Sequence, residues 1–237
     1  MNTSDIRENI NTKIEQAREC ERKVFQLCVN YSKTKNPKLL KHMGGYLGTL
    51  TNNLRSALNY ATADYCQERI KDGIKLSTDF PYSFAKAKFE KMNLVVFMSR
   101  SDPDLYNFIE GLQPFNKDTW LGTLMKFSNT DKHKLLVEVQ NTDITHIRMW
   151  NDKGDVIHPP IHFGSQLLFP ASNGNSVVIV PTPCYVERLR MFALPNRTWV
   201  NFLIPIEDHF IEFLPYMKNT PKRVEDVIHE FYNKFQY

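Results

Sequence analysis

Polar side chains recur at helical spacing in one segment of the chain that is otherwise apolar. Asn52, Arg55 and Asn59 follow one another at steps of three and four residues, beside a stripe of leucines. Residues with this spacing lie on one face of an α-helix. An arginine on such a face presents a planar guanidinium that binds a carboxylate or a phosphate through two hydrogen bonds. The pattern therefore predicts either a structural polar contact or an anion-binding position.

A second polar group follows much later in the chain, in the segment Asn129-Thr130-Asp131-Lys132-His133. Helical periodicity places Asp131 on the side that also carries Leu121 and Leu135. An ionised carboxylate in apolar surroundings needs a partner, because desolvating an unpaired charge is costly. We therefore predict an ion pair between Arg55 and Asp131 that joins two helices.

Two interpretations of these residues remain open. In the first, Arg55, Asn59 and Asp131 form a buried polar clamp that fixes the register of the two helices, since structural ion-pair networks produce such clusters. In the second, they line a cleft in which His133 is a general acid or base and Arg55 or Lys132 holds an anion such as a phosphate. The predicted catalytic residues are then His133, Arg55, Asp131 and Asn59, and the predicted substrate-binding residues are Lys132, Asn129, Asn52 and Tyr60.

The segment Leu54-Arg55-Ser56-Ala57-Leu58-Asn59-Tyr60, together with the segment 129–134, resembles a group of uncharacterised bacterial proteins. That group typically shows the motifs R-S-A-L-D-H and N-x-D-K-H-R. The first motif is similar to the R-x4-H signature of HEPN domains, helical bundles that often act as metal-independent ribonucleases in toxin and phage-defence systems. The resemblance covers residues 40–136. It implies an RNA-directed protein that needs no cofactor and that pairs into a homodimer, with Gly44 and Gly48 as a candidate dimer face.

This chain departs from those motifs at two positions. Asn59 stands where the bacterial group has Asp, and Tyr60 stands where it has His. Imidazole titrates near neutral pH, whereas a phenol has an ordinary pKa of about 10, so Tyr60 is a poor acid or base. The proton-transfer role therefore falls to His133 in the ribonuclease interpretation. The alternative is a non-catalytic interaction protein whose clamp is structural and whose β surface binds a partner.

Long helices must position these residues. Apolar residues at steps of three, four or seven predict that the first two helices form an antiparallel hairpin. The predicted helices span residues 4–31, 37–70, 84–92, 104–112 and 117–136. The sequence thus predicts a helical bundle over residues 1–136.

The pattern changes to alternation and turn signals after residue 136. The predicted strands span residues 145–150, 165–169, 176–180, 186–193 and 198–204. Their connections are too short for crossover helices, so an antiparallel sheet is expected. A final helix is predicted to begin at Thr220, with Pro221 at its first position. The predicted fold class is α+β, in which residues 137–237 form an antiparallel sheet insert and a C-terminal helix, packed as one unit with the bundle.

Composition and charge limit the classes of function. Hydrophobic residues make up 42% and charged residues 24%, values that favour a globular protein. The net charge of +4 permits an anionic partner such as RNA without requiring one. No leader or membrane-spanning apolar run is evident, and the cysteines lack metal or redox spacing. We expect a cytoplasmic protein.

Two other groups of residues are weaker candidates for metal ligands. The first is the histidines His146, His158 and His162, which the Pro159-Pro160 pair keeps from a helical arrangement. The second is the carboxylates Asp64, Glu68 and Asp72, for which a solvated helix face is the simpler interpretation. We predict no metal site.

Overall fold

The computed structural model of this chain describes residues 3–34, 36–70, 76–116, 119–132, 139–145, 149–150, 156–157, 167–170, 176–179, 198–206 and 209–235. For residues 3–4, 32–33 and 130–132, and for the strand segments between 140 and 212, it describes the backbone alone. Almost all of the described side chains therefore lie in the helices and in the segments that connect them.

The helices are bounded as follows: α1 Thr3–Thr34, α2 Lys38–Arg69, α3 Lys86–Phe89, α4 Asn93–Ser101, α5 Pro103–Gly111, α6 Trp120–Lys132 and α7 Phe213–Phe235. A single 3-10 turn, Pro114–Asn116, precedes α6. The two longest helices, α1 and α2, have 32 residues each. They are joined by a short connection in which the Asn36 side chain accepts the Lys38 backbone N–H at 3.0 Å and so caps the start of α2.

The predicted α+β fold class is wrong. Among the residues whose side chains are described, 85% are helical and none lies in a strand. The described fold is therefore a helical bundle. The alternation of residue types after position 136 is a local signal, and it does not establish that a sheet contributes to the packed core.

Strand segments are described as backbone between residues 140 and 212. They are β1 Gln140–Thr145, β2 Met149–Trp150, β3 Val156–Ile157, β4 Leu167–Pro170, β5 Ser176–Ile179, β6 Thr198–Ile206 and β7 His209–Glu212. They pair antiparallel in three separate sets, β1-β6-β7, β2-β3 and β4-β5, in place of the single sheet that was predicted. In the largest set Leu203 lies opposite both Gln140 and Glu212. The strand predicted over residues 186–193 lies outside the described residues.

The predicted hairpin of the first two helices is confirmed. Contacts along its length join residues whose numbers rise on one helix and fall on the other. Cys28 Sγ lies 3.9 Å from Met43 Sδ near the connection, and Lys13 Nζ donates to Asn53 Oδ1 at 3.2 Å further along. The apolar stripe of each helix is buried in the seam, with Val24 and Leu47 among the fully buried members. Hydrophobic burial at helical spacing therefore stabilises the hairpin.

Two helices differ from the prediction by more than a few end residues. The sequence did not predict α4, which begins directly after Met92 without a side-chain cap. The final helix begins at Phe213, so Pro221 lies inside it. Phe213 and Met217 are buried and extend the apolar stripe backwards from Val224, which explains why the helix starts before the proline.

The chain divides into two compact units. One comprises Met1–Val137 with Pro215–Tyr237, and the other is Glu138–Leu214. The packing of the two regions as one unit stays a prediction, as does the homodimer. Gly44 and Gly48, the candidate dimer face, are buried within this single chain. In the part of the chain that the structure describes, no helix has the length and apolar character needed to cross a membrane.

Candidate anion-binding cleft

The polar stripe on α2 lies where the periodicity predicted, on one face of the helix. Asn52, Arg55 and Asn59 are half-buried, whereas the neighbouring Leu54 and Leu58 are fully buried. The stripe therefore marks the border between the core and the surface. Each of its three side chains bonds to a different point of the surrounding structure.

Two hydrogen bonds join this stripe to α6. Ser128 Oγ donates to Asn52 Oδ1 at 2.8 Å, and the Arg55 guanidinium donates to Asn129 Oδ1. Ser128 is fully buried and Asn129 is exposed, so the contact runs from the core to the surface. The stripe therefore contacts α6 both in the core and at the surface.

Arg55 has an uncharged acceptor as its described partner. No carboxylate among the described side chains lies within ion-pair distance of its guanidinium. The predicted partner Asp131 lies on α6, where only its backbone is described, and so does Lys132. His133 lies outside the described residues. The Arg55–Asp131 ion pair and the catalytic role of His133 therefore stay predictions.

Asn59 holds the segment that follows α2. Its Nδ2 donates to Asp79 Oδ1 at 2.9 Å, and its Oδ1 accepts the backbone N–H of Phe80 at 2.9 Å. Asp79 is held from the other side, because its backbone N–H donates to Ser77 Oγ at 3.2 Å. One amide side chain therefore folds residues 77–82 back against α2. Tyr60, the neighbour of Asn59, is half-buried and is not among the residues that line the cleft described next.

A cleft of about 410 Å³ opens between α2, this folded-back segment, the start of α4 and α6. Its polar lining includes Arg55 and Asp79, and its apolar lining includes Tyr82, Leu94 and Met125. The volume lies within the range of sites that hold small organic ligands. A cation at the edge of an apolar, aromatic-walled cleft is suited to a ligand with an anionic group and a flat apolar part.

The cleft contains one cation, Arg55, and one carboxylate, Asp79, among its described lining residues. Burial raises the pKa of the Tyr82 phenol, and the nearby Arg55 charge opposes this shift without cancelling it. Tyr82 is therefore a neutral hydrogen-bond donor at physiological pH. Proton transfer near neutral pH needs a group such as imidazole, and the described lining of the cleft contains no histidine.

Sequence reasoning placed Arg55 at this site but missed the wall that faces it. Asp79, Tyr82 and Met125 were not singled out, and residues 71–82 fall between the predicted helices 37–70 and 84–92. The available signal was Pro81-Tyr82, a rigid dipeptide that presents an aromatic side chain soon after the polar stripe. Of the eight predicted site residues, Arg55 and Asn129 are joined by a hydrogen bond. Asn52 accepts a hydrogen bond from Ser128, the neighbour of Asn129, and Asn59 bonds to Asp79.

The weaker metal candidates separate into described and undescribed residues. Asp64 is fully buried against Tyr232 and Arg7, and Glu68 is exposed. Asp72 and the three histidines lie outside the described residues. Within the described part of the chain, no group of three or more His, Cys, Asp or Glu side chains is placed to hold a metal ion.

Comparison with known proteins gives no relative for this chain: no protein-family model, no curated protein and no solved structure matches it. The function must therefore be argued from the cleft itself.

Proposed function

We propose that this chain is an RNA-directed protein in which Arg55 binds a phosphate of the RNA. The observation that carries the proposal is the state of the Arg55 side chain. It is held by the Asn129 amide oxygen at the border of the cleft, and no described carboxylate neutralises it. A guanidinium positioned by a neutral acceptor keeps its charge and its remaining N–H donors for a phosphate.

The opposite wall of the cleft supports RNA over a simple anion. Asp79 is an acceptor that suits a hydroxyl or amino donor and repels a phosphate, so a ligand must carry both kinds of group. RNA carries the 2′-hydroxyl and the base amino groups as donors beside each phosphate. Tyr82 supplies an aromatic surface for the base.

Binding tests this proposal most directly. We expect the substitution Arg55→Gln to raise the Kd for single-stranded RNA about tenfold or more, because a hydrogen bond to a charged group contributes about 1.5–3 kcal/mol. The shorter glutamine amide still offers a donor to Asn129, which limits damage to the fold. Removal of one phosphate contact also lowers the slope of log K against log salt by about one.

The matched control is Arg22→Gln, which removes the same charge from α1. Arg22 is 61% exposed and pairs with Glu19 on its own helix, away from the cleft. This variant should leave RNA affinity within about twofold, since it changes only the net charge. Equal losses in the two variants would show that general charge, and not the cleft, governs binding.

Ribonuclease activity is a finer proposal that rests on His133. Incubation of a mixed RNA pool with wild type and with His133→Ala, both in EDTA, separates binding from cleavage. Cleavage by wild type alone supports a metal-independent ribonuclease with His133 as acid or base. Binding without cleavage by either protein leaves an RNA-binding protein. The cysteines Cys20, Cys28 and Cys66 are free, which suits the reducing cytoplasm where such a protein would meet RNA.

A second candidate function is a non-catalytic interaction protein in which the α2 stripe is a structural clamp. One observation favours it: Asn52, Arg55 and Asn59 each bond to another part of the chain. Under this candidate, Arg55→Gln lowers the free energy of unfolding by about 1 kcal/mol. Wild type and variant then bind RNA with the same weak, nonspecific affinity. Chemical denaturation and RNA titration of the same variant therefore decide between the two functions.

A further inference from the structure

An exposed aromatic ring lies next to the Arg55 cleft. Phe84 has 54% of its surface exposed, and among the large apolar side chains that the structure describes, only Phe25 exposes more. It follows Tyr82 by two residues in the segment that forms the wall of the cleft, and it precedes α3. A base that stacks on the exposed part of this ring would remove apolar surface from water.

The ring is held in place by its surroundings. Its centroid lies 5.3 Å from the Tyr82 ring, at an interplanar angle of 73°. On α6, Gly122 allows the ring a close approach, because a Cβ there would lie only 3.1 Å from Phe84 Cε1. The exposed ring is therefore preorganised, which lowers the entropy cost of binding against it.

One cation lies close to each of the two rings. Lys126 Nζ lies over the Phe84 ring, 5.4 Å from its centre, and the Arg55 charge acts on Tyr82. A purely apolar protein partner gains nothing from these charges, whereas a strand of alternating phosphates and bases matches both features.

We propose that Phe84 is a stacking platform for an unpaired base of RNA, next to the nucleotide whose phosphate binds Arg55. The proposal rests on the proposed function and narrows its substrate to single-stranded RNA. Bases within a duplex are stacked on one another and do not offer a free face to a side chain. Stacking on an aromatic ring is tolerant of sequence, so Phe84 adds affinity without selecting one base.

Two variants of Phe84 test the platform by fluorescence anisotropy with a short, labelled oligoadenylate. Phe84→Leu keeps an apolar side chain but removes the ring, and it should raise the Kd about tenfold. Phe84→Tyr keeps the ring and should bind within about twofold of wild type. An abasic strand of the same length should bind equally to wild type and Phe84→Leu, since it has phosphates but no bases. A thermal melt of each variant confirms that it is folded.

The outcomes distinguish failure of the Phe84 platform from failure of the proposed RNA-binding function. Loss of oligoadenylate affinity in Phe84→Leu, with abasic binding retained, supports the platform. Unchanged affinity in Phe84→Leu, with a loss in Arg55→Gln, overturns the platform and leaves the phosphate site standing. Equal affinity of wild type for duplex and single-stranded RNA also overturns the platform. Unchanged affinity in both variants overturns the proposed function as well.

Discussion

Helix α2 carries two polar clusters whose surroundings differ. The cleft cluster consists of Asn52, Arg55 and Asn59, which are half-buried, and of these Arg55 lines the open cleft. The deep cluster consists of Asp64 and Tyr65, which are fully buried. The same helix therefore places polar groups at the border of the core at one level and encloses them in the core at the next. The two clusters differ in their burial more than in their residue types.

The deep cluster ties other helices to α2. Tyr232 of α7 donates its hydroxyl to Asp64 Oδ2 at 2.8 Å, and Arg7 of α1 lies 3.8 Å from the same oxygen. Tyr65 donates to Asp102 Oδ2 at 2.6 Å. The rings of Tyr65 and Phe231 meet edge to face, with centroids 6.1 Å apart. Aromatic packing therefore excludes water from these hydrogen bonds and strengthens them.

The sharpest test of this comparison substitutes one phenylalanine from each region. Phe231 is fully buried, so Phe231→Ala should lower the free energy of unfolding by about 3–5 kcal/mol. Phe84 is 54% exposed, so Phe84→Ala should lower it by less than about 1 kcal/mol. Urea denaturation of both variants measures the two values. Similar losses would mean that the cleft wall is as much a part of the core as the deep cluster.

The next largest effect concerns the buried Asp64 carboxylate. Asp64 Oδ1 is buried and has no hydrogen-bond partner among the described residues. The other oxygen, Oδ2, accepts a hydrogen bond from the Tyr232 hydroxyl, which is the main neutral donor to this carboxylate. Tyr232→Phe should therefore lower the free energy of unfolding by about 1–3 kcal/mol, the cost of leaving a buried acceptor unsatisfied.

Tyr106→Phe is the matched control for that substitution. Its hydroxyl lies 3.5 Å from Glu110 Oε1 on the same helix and is half-exposed, so its loss should change stability by less than about 0.5 kcal/mol. A loss as large as that of Tyr232→Phe would show that burial of Asp64 carries no special cost. RNA affinity should be unchanged in both variants.

The long helices were predictable because their signal is repeated many times. The stripe of α1, which includes Ile6, Ile10 and Ile14, keeps one apolar face over 32 residues, and each turn reinforces the assignment. Short α4 offers only two turns and no side-chain cap, so it was missed. Pro221 was interpreted as the start of the final helix, although buried apolar residues on both sides of it favour a continuous helix. The α+β class was wrong because alternation of residue types specifies strand conformation locally and leaves its packing open.

The candidate site was predictable on one side only. Spacing alone placed Asn52, Arg55 and Asn59 on one face, because helix geometry is regular. Their partners depend on the rotation and axial position of the neighbouring element, which periodicity does not determine. Arg55 was therefore assigned to Asp131, whereas its described partner is Asn129. The fold-back of Asp79 onto Asn59 is a contact between loop and helix with no local pattern at all.

The pH dependence of stability reports on the deep cluster when wild type is compared with Tyr65→Phe, a substitution that removes only the hydroxyl. Burial, followed by the hydrogen bond to the Asp102 carboxylate, raises the pKa of Tyr65 well above its ordinary value of 10.0. The neutral phenol is thus favoured in the folded state, and its contribution to stability is complete below pH 10 and is lost as the pH rises further. Relative to Tyr65→Phe, wild type should lose about 1.4 kcal/mol of unfolding free energy by pH 11. The prediction is contradicted if the free energies of unfolding of wild type and Tyr65→Phe change by the same amount between pH 8 and pH 11. Tyr65 does not line the cleft, so Arg55-dependent RNA binding should be the same in Tyr65→Phe as in wild type.

The smallest expected effect tests where the cleft cluster meets the core. Ser128 is fully buried and donates to Asn52 Oδ1, so Ser128→Ala should lower the free energy of unfolding by about 1 kcal/mol. Ser99→Ala is the control, since the exposed Ser99 hydroxyl bonds only to the Val96 carbonyl of its own helix and should contribute almost nothing. RNA affinity of Ser128→Ala decides what the bond is for. If affinity falls together with stability, the position of α6 along α2 sets the geometry of Arg55, and the same contacts serve both stability and binding. If stability falls while affinity is retained, the hydrogen bond from Arg55 to Asn129 is sufficient to hold the cleft, and the structural and binding roles of the α2 stripe are separable within a single turn of helix.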